Sequence, residues 1–329
     1  MIAERRRSPR IMHLGMGLVC GAKIRDMIDA KFNFIILLAD WHAWINNKLG
    51  GDLNNIRTSG EYFKHCFTAL GIDPAKVTYL WASDLVKDRS YWEKVIRIAK
   101  NTSLQRTWRT LPIMGREMSL TDLETAWIFY PCLQSADIFQ MDLDVACAGM
   151  DQRKAHMLAR DVAEKLGWKK PISIHTHLLM GLSGSGEKME ATFDENRAVN
   201  LEISAKMSKS IPASCIFIHD SPEDIRMKLQ EAYCPPKTVE GNPVLEIAKY
   251  IVFWWSKTLS ISRPAQYGGP IEFHSYTELE KAYMTGEVHP LDLKNGVAEA
   301  LVAILKPVRD YFRKHPEPLE QMKRIEITR

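Results

Sequence analysis

The chain has 329 residues, 46% of them hydrophobic and 26% charged, with a formal net charge of +4 at pH 7. This length allows one large or two ordinary domains around a sizeable core. So small a charge does not require a polyanionic partner, although it is compatible with a local basic patch. No apolar run approaches the ~20 residues that a transmembrane helix needs, and Arg5, Arg6 and Arg7 are not followed by a signal-peptide core. A cytoplasmic protein without a membrane partner is therefore expected.

The cysteines are scattered along the chain and form no Cys-x-x-Cys pair. That spacing indicates neither a zinc site nor a disulfide framework, so no metal ligand is assigned to a protein side chain. Reduced, buried thiols are the expectation for Cys20, Cys66, Cys132, Cys147, Cys215 and Cys234.

Three apolar runs of strand length, at residues 34–39, 77–81 and 145–148, alternate with helical patterns. Runs this apolar are typical of parallel strands that are buried on both faces. Their alternation with helices predicts an α/β fold with a doubly wound parallel sheet.

Polar side chains follow two of these predicted strands. Asp40 and His42 come after the first, and Asp151 and Gln152 come after the third. Ligands of open α/β sheets bind at the carboxyl ends of the strands. We therefore expect His42 to line a ligand site and Asp151, near a helix N-terminus, to bind a ribose diol.

Residues from about 90 to 128 predict helices without a strand. Ser90 and Glu93 have the spacing of a capping box that opens a helix toward Thr102. Residues 104–124 are helical in composition and mix arginines with apolar side chains. A helical insertion in an α/β domain often carries a partner surface, and we expect a homodimer contact here.

Tyr130, Gln134 and Asp137 fall at i, i+4 and i+7 of a predicted helix, with Pro131 in its first turn. The rest of this face is apolar. A tyrosine, an amide and a carboxylate are costly to bury there unless they meet a polar ligand. A solvent-facing polar stripe is the alternative that spacing alone leaves open.

The segment from Ser204 to Ser210 contains two lysines three residues apart, Lys206 and Lys209, interleaved with serines. Cations and hydroxyls in this pattern can lie along a polyphosphate and stabilise the charge that develops in phosphoryl chemistry. A solvated basic loop is the ordinary alternative for Lys-x-x-Lys. The Gly/Ser-rich residues 181–200 lack P-loop spacing and predict a mobile loop that closes on a nucleotide.

Helical patterns dominate from residue 218 onward. Ser221-Pro-Glu-Asp224 has the form of an N-cap with proline at the first helical position. Trp254 and Trp255, on an amphipathic helix, are interpreted as core residues. The change in pattern predicts an α/β domain at 1–217 and a helical domain at 218–329.

Two of these segments resemble motifs of class I aminoacyl-tRNA synthetases. Residues 206–210 match the Lys-Met-Ser-Lys-Ser signature of that class, and His13-Leu-Gly-Met16 resembles its other nucleotide-binding motif. From about His13 to Tyr311 the chain resembles the tyrosyl-tRNA synthetases of the archaeal and eukaryotic type. The other matching segments are Leu37-Leu-Ala-Asp-Trp-His42, Tyr130-Pro-Cys-Leu-Gln134 with Asp137, Gly149-Met-Asp-Gln-Arg-Lys154, Ala232-Tyr-Cys234, Gly241-Asn-Pro243 and His289-Pro-Leu-Asp-Leu-Lys-Asn295.

This resemblance implies a Rossmann-type catalytic domain with a helical insertion and a lysine loop at 204–210, followed by an α-helical anticodon-binding domain. It also implies a homodimer, ATP with Mg²⁺, and a reaction in two steps. L-Tyrosine is activated to tyrosyl-adenylate, and the tyrosyl group then passes to the 3′ end of tRNA(Tyr). DNA is not an implied partner.

The resemblance also implies roles for individual residues in catalysis and substrate binding. The catalytic residues are His13, Lys206 and Lys209, the two lysines holding the departing pyrophosphate. The ATP site contains His13, Gly15, Gly149, Asp151, Lys206, Met207, Ser208 and Lys209. The tyrosine site contains Leu37, Ala39, His42, Tyr130, Gln134, Asp137 and Gln152. Within it, Asp137 binds the phenolic hydroxyl.

For tRNA, the resemblance implies contacts at both ends of the molecule. Arg153 and Lys154 correspond to residues that meet the first base pair of the acceptor stem. Tyr267, His289 and Asp292 correspond to anticodon contacts.

The chain departs from the family pattern near its start. Met16 replaces the second histidine of the nucleotide motif, at a position that varies in this branch. Residues 3–10 contain no tyrosine where the family has one that shares the substrate hydroxyl. Asp137 is therefore expected to bind that hydroxyl alone, unless residues further upstream supply the partner.

Two other interpretations remain open. A tryptophanyl-tRNA synthetase shares the fold and the lysine loop, but an indole has no hydroxyl to offset the burial of Asp137. A catalytically impaired tRNA-binding relative would fit the atypical start of the chain, but it would not need Lys206 and Lys209 at their spacing.

Overall fold

The computed structural model describes residues 11–115, 123–184, 194–207 and 214–325. It contains the three predicted strands, β1 (Phe34–Leu38), β2 (Val77–Trp81) and β3 (Val145–Gly149), and one that the sequence pattern did not predict, β4 (Ile172–Thr176). β1 pairs with β2 and β3 pairs with β4, both in parallel. The described residues thus form two small parallel pairs within a mainly helical protein.

A third, antiparallel pair lies in the C-terminal part, where only helices were predicted. β5 (Leu259–Ile261) pairs with β6 (Ile271–Phe273). The alternating burial of these short strands places Leu259 and Ile261 inward against the helices. Residues 218–325 are therefore mainly helical with one β-hairpin.

The α-helices of the first part connect and cover the parallel strands. They are α1 (Cys20–Asp29), α2 (Asp40–Ile45), α3 (Leu53–Ala69), α4 (Ala82–Leu85), α5 (Arg89–Lys100), α6 (Leu104–Thr110), α7 (Thr125–Gln140), α8 (Arg153–Leu166) and α9 (Arg197–Ala205). A π-helical turn precedes α1 at Gly15–Val19, and 3₁₀ turns lie at Lys48–Gly51, Pro74–Lys76, Leu111–Met114 and Met150–Gln152.

The helices after residue 217 are α10 (Pro222–Glu231), α11 (Pro243–Ile247), α12 (Phe253–Trp255), α13 (Tyr276–Thr285), α14 (Pro290–Ile304), α15 (Lys306–Lys314) and α16 (Glu317–Arg324). A π-helical segment, Ala248–Val252, joins α11 to α12, and a 3₁₀ turn lies at Ala265–Tyr267. No helix of the described residues is long and apolar enough to cross a bilayer.

Side-chain caps explain where several helices begin. Ser221 caps α10 with Pro222 at its first position, as predicted, and Asp224 completes a reciprocal capping box. The predicted box at Ser90 and Glu93 is wrong, because Asp88 caps α5 by accepting from the Ser90 backbone N–H at 2.8 Å. An aspartate two residues earlier competes successfully because its side-chain oxygen reaches an unpaired N–H of the first turn.

Pro131 is the seventh residue of α7 and does not lie in the first turn, where it was predicted. Its ring removes one main-chain hydrogen bond of the helix. Buried neighbours on both sides of the proline hold α7 in place despite that loss, including Trp127, Cys132 and Leu133. The helix therefore extends one and a half turns further toward its N-terminus than the proline suggests.

One hydrophobic cluster runs through both predicted domains. It contains Leu14 and Leu18 before residue 217, and Val244 and Leu301 after it. A polar contact crosses the same boundary, since the Tyr62 hydroxyl lies 2.7 Å from Nε2 of His219. The predicted boundary near residue 217 therefore marks a change in secondary structure within one continuous core.

Candidate active site

The centre of the site is the carboxylate of Asp137 on α7, which is only 3% exposed. The Tyr91 hydroxyl donates to its Oδ1 at 2.9 Å, and His42 Nε2 lies 3.0 Å from its Oδ2. His42 is on α2, directly after β1, and Tyr91 is in the first turn of α5. Three elements thus converge on one buried acid.

The charges in this cluster follow from their neighbours. Burial lowers the pKa of His42, but the negative charges of Asp137 and Asp40 outweigh it, so the pKa lies above its ordinary value. Burial and the adjacent Asp137 raise the pKa of Tyr91. Tyr91 is therefore a protonated donor at neutral pH, and the other oxygen of Asp137 faces the His42 ring.

Tyr130 closes one side of this cluster. Its ring meets the His42 ring edge-on, with the ring centroids 5.3 Å apart. Burial raises the pKa of the Tyr130 hydroxyl, and the charges of Asp137 and Asp151 raise it further. Tyr130 thus lies between the acid at the base of the site and Asp151, which follows β3.

Gln134 and Gln152 are linked in a chain that orients both amides. Gln152 Nε2 donates to the carbonyl of Ile113 at 3.2 Å, so its Oε1 is free to accept from Gln134 Nε2 at 3.0 Å. Gln134 Oε1 is buried and has no hydrogen-bond partner among the described residues. A buried acceptor of this kind fits an N–H donor from a ligand.

Leu37 and Ala39 lie at the end of β1, as predicted. Leu37 pairs with Leu80 of β2 and packs on the hydrophobic cluster that contains Tyr91. Ala39 is exposed and precedes α2. These two residues form an apolar surface at the end of β1, next to α2, which carries His42 of the Asp137 cluster.

Asp40 has a structural role. Its Oδ1 accepts from the backbone N–H groups of Trp41 and Ser83, each at 2.9 Å, and its Oδ2 lies 3.6 Å from Arg57 Nε. The bond to Ser83 joins the end of β1 to α4, which follows β2. Asp40 therefore links the carboxyl ends of β1 and β2, and so fixes the start of α2, which carries His42.

His13 is held between two parts of the chain. Leu14 N–H donates to Ile216 at 3.1 Å and Ile218 N–H donates to Met12 at 3.0 Å, which pairs residues 12–14 with 216–218. The Gly15 N–H donates to His13 Nδ1 at 3.1 Å. A Cβ at Gly15 would lie 3.0 Å from His13 Cε1, so the glycine allows the ring to fold over the start of the helix.

Asp151 and Lys206 meet although 55 residues separate them. Lys206 Nζ donates to Asp151 Oδ2 at 2.7 Å. A Cβ at Gly149 would lie 2.8 Å from Asp151 Oδ1, so the glycine gives the carboxylate room to lie close to the end of β3. Met207 is buried, and its N–H donates to Leu179 at 2.6 Å. Ser208 and Lys209 lie outside the described residues.

Basic side chains surround the start of α8, where Arg153 and Lys154 lie. Burial lowers the pKa of Lys154, and Arg106 and Arg109 on α6 lower it further, against the opposing effect of Asp194 and Glu195. Lys154 is thus close to both arginines, of which Arg106 pairs with Asp161 at 2.9 Å and Arg109 with Glu195 at 3.3 Å.

The predicted anticodon residues lie near one end of α14. Tyr267 is 64% exposed on the turn between β5 and β6. Arg263 Nε donates to Gly269 and its Nη1 donates to Glu287, each at 2.7 Å, which ties this turn to the approach of α14. His289 caps α14 by accepting from Leu291 N–H at 3.2 Å, so Asp292 in the first turn is not the cap.

The structure therefore joins most of the predicted tyrosine and nucleotide residues into one region. Gln152, bonded to Gln134, is adjacent to Asp151, which pairs with Lys206. The sequence analysis missed Tyr91. Its position on the buried face of α5 with Val95 and Ile98 was a signal, because a buried tyrosine hydroxyl needs a partner.

A parallel-strand α/β fold, with polar side chains after the strands and a lysine segment meeting an aspartate at a helix start, defines a nucleotide-using enzyme. The comparisons specify which one. A family model described as tRNA synthetases class I (W and Y) matches residues 8–306. The chain belongs to this family, and within it to the tyrosyl members.

Similar proteins carry that name. The tyrosine–tRNA ligase of Aeropyrum pernix is 48% identical over 97% of this chain and 87% of its own length. The tyrosine–tRNA ligase of Sulfurisphaera tokodaii is 51% identical over 91% of this chain and 81% of its own length. The crystal structure of tyrosyl-tRNA synthetase complexed with L-tyrosine from Pyrococcus horikoshii has a TM-score of 0.87 and 44% identity, covering 96% of this chain and 88% of that one.

Proposed function

We propose that the chain activates L-tyrosine with ATP and transfers it to the 3′ end of tRNA(Tyr). The observation that carries this proposal is the buried Asp137 carboxylate, held by Tyr91 and His42 at the base of the site. A neutral hydroxyl is a ligand group that such an acid binds favourably, because it adds a donor to a carboxylate that is buried away from water.

Two features support tyrosine as the amino acid. Asp137 accepts the phenolic hydroxyl, and each of its oxygens has a second lone pair beyond those used by Tyr91 and His42. Gln134 Oε1 is a buried acceptor, which fits the ammonium group of the substrate. Leu37 and Tyr130 line the space beside this cluster. Tryptophan is disfavoured because an indole has no hydroxyl to offset the burial of the Asp137 carboxylate.

For ATP, the proposed site contains His13, Gly15, Gly149, Asp151 and the lysine segment. The Asp151 carboxylate suits the ribose diol. Among the described residues no three His, Cys, Asp or Glu side chains converge as metal ligands. In this proposal, Mg²⁺ therefore reaches the site as its complex with ATP, in which the phosphates bind the ion.

In the first step, a carboxylate oxygen of tyrosine attacks the α-phosphorus, the bond to the bridging oxygen breaks, and pyrophosphate leaves. Lys206 and Lys209 stabilise the charge on the leaving group. Lys206 reaches this position by exchanging Asp151 for phosphate oxygens, which carry more negative charge. In the second step, a hydroxyl of the terminal tRNA ribose attacks the acyl carbon and AMP leaves.

The tRNA is proposed to bind at two places. Arg153 and Lys154, with the nearby arginines of α6, offer cations to the acceptor stem. Tyr267, His289 and Asp292 offer an exposed ring and polar groups to the anticodon. The two bonds of Arg263 support this arrangement, because they hold the Tyr267 turn beside the start of α14.

For the assembly, we propose a Rossmann-type catalytic part at 1–217, an anticodon-binding part at 218–329, and a homodimer. The insertion from about 90 to 128 supports a dimer contact, since it exposes Trp92, Ile96 and Leu104 at 38%, 50% and 65%. All six cysteines are free thiols, which fits the reducing cytoplasm as the location.

The test is ATP–pyrophosphate exchange with single amino acids, followed by aminoacylation of tRNA. Exchange that depends on tyrosine, with little from phenylalanine or tryptophan, is the expected result. Exchange that depends on tryptophan would overturn the choice of amino acid. Binding of tRNA without any exchange would favour the catalytically impaired relative.

A further inference from the structure

His177, the first residue of the loop that follows β4, lies between two carboxylates. Its Nδ1 is 3.0 Å from Glu202 Oε1, and its Nε2 is 3.3 Å from Glu246 Oε2. Glu202 is on α9, and Glu246 is on α11. The three side chains are 22% exposed. The imidazole thus joins a helix before residue 217 to a helix after it.

The geometry requires both ring nitrogens to face an anionic oxygen. Only the imidazolium form carries a proton on both nitrogens, so only the cation satisfies both carboxylates. Tyr250, in the π-helical segment after α11, stacks on the ring with centroids 4.0 Å apart and planes at 19°. Lys249 Nζ lies 5.4 Å from the centroid of the Tyr250 ring. These groups and the two glutamates are the titratable or charged neighbours that face the ring.

The charges decide the protonation state of His177. Burial lowers its pKa, but Glu202 and Glu246 outweigh that effect and raise it to about 9. The cation is therefore the main form at neutral pH, and it is lost as the pH rises through about 9. Its stabilising effect is complete below the ordinary histidine pKa of about 6.5.

The loop after β4 also holds the backbone of the segment that contains Lys206. Met180 pairs with Lys206 in an isolated antiparallel β-bridge. Gly181 N–H donates to Ala205 at 3.0 Å, and Met207 N–H donates to Leu179 at 2.6 Å. The two carboxylates also bind this loop, because Glu202 accepts from Leu178 N–H and Glu246 accepts from Met180 N–H, each at 2.9 Å. Glu202 lies one helical turn before Lys206.

We propose that His177, as a cation, is a positioning residue for adenylate formation, because it clamps α9 and α11 to the loop that aligns Lys206. His177 touches no substrate in this scheme, and it acts through the backbone of the lysine segment. Loss of the cation leaves two carboxylates facing a neutral ring, which loosens the register between residues 178–181 and 205–207. The inference rests on the proposed role of Lys206 in ATP-dependent activation of tyrosine.

The experiment is pyrophosphate exchange by the full chain from pH 7 to 10, for wild type and His177→Gln. We expect kcat at pH 7.5 to fall about tenfold in the variant with little change in the KM for tyrosine, the pattern of a lost transition-state interaction. The wild-type rate should fall with a midpoint near pH 9, and that fall should be absent from the variant. His274→Gln, an exposed histidine, is the matched control.

Glu246→Gln provides a second variant that keeps the histidine. It removes one anionic neighbour, so the alkaline midpoint should move to lower pH, by about one unit. This variant and the wild-type profile decide the question even where His177→Gln does not fold. Identical pH profiles for wild type and both soluble variants would overturn the clamp. Wild type without any tyrosine-dependent exchange would instead overturn the proposed function.

Discussion

The Tyr91 hydroxyl donates a 2.9 Å hydrogen bond to Oδ1 of Asp137, across 46 residues of sequence. His42 occupies the other oxygen of the same carboxylate at 3.0 Å. Asp137 is thus already oriented by two buried partners, although residues 3–10 contain no tyrosine. A substrate hydroxyl that joins this cluster meets an acid whose position is set in advance, which lowers the entropy lost on binding.

Asp137→Ala should reduce the preference for tyrosine over phenylalanine by about one to two orders of magnitude. Leaving the substrate hydroxyl without its buried hydrogen-bond partner costs about 1–3 kcal/mol of binding free energy. The measurement is kcat/KM for both amino acids in pyrophosphate exchange. Asp84→Ala, at an exposed position of α4, is the control and should leave the ratio unchanged. An unchanged ratio in Asp137→Ala would move specificity to another part of the site and reopen the tryptophan interpretation.

Tyr91→Phe should lower both stability and discrimination. A hydrogen bond to a charged group contributes about 1.5–3 kcal/mol, so the free energy of unfolding should fall by that amount. The tyrosine-to-phenylalanine ratio should fall as well, because Asp137 loses one orienting partner. Tyr283→Phe removes another buried hydroxyl, which donates to Pro235 at 2.8 Å, and should affect stability alone. Equal ratios in the two variants would make Tyr91 a structural residue only.

Lys206→Ala and Lys209→Ala should each lower adenylate formation by about 10²-fold or more, with little effect on tyrosine binding. A charge used only in the transition state acts on kcat. Lys206→Ala also leaves the Asp151 carboxylate without the cation now 2.7 Å away. Single-turnover adenylation is the measurement, with exposed Lys87→Ala as control. A rate equal to wild type would contradict the assignment of this segment.

Asp292→Ala should weaken aminoacylation of tRNA and leave tyrosine activation intact. The structure supports this separation, because His289 and not Asp292 caps α14. Loss of an acid from a first helical turn costs about 0.3–1 kcal/mol through the helix dipole. Glu317→Ala makes the same change at the start of α16 and controls for that cost. A parallel loss of pyrophosphate exchange would show a structural role for Asp292.

Local patterns were sufficient for several features of this protein. The three apolar runs became β1, β2 and β3, and Tyr130, Gln134 and Asp137 do share a helix with their side chains near one site. Residue spacing determines which side chains share a face, so these features follow from neighbours within about two turns. The ordered motifs were likewise enough to indicate the family that the comparisons confirmed.

Other features depended on distant contacts. Pro131 lies inside α7, and the weak pattern of β4 forms a strand only beside β3. In both cases tertiary packing outweighs the local preference of the sequence, which for a proline inside a helix is about 3 kcal/mol.

Only the tertiary structure shows which residues distant in sequence are in contact. Sequence spacing cannot show that Tyr91 reaches Asp137, that Lys206 pairs with Asp151, or that His177 lies between Glu202 and Glu246. These pairs are brought together by a core that continues across residue 217, because burying apolar surface from both parts of the chain is what holds their backbones in register.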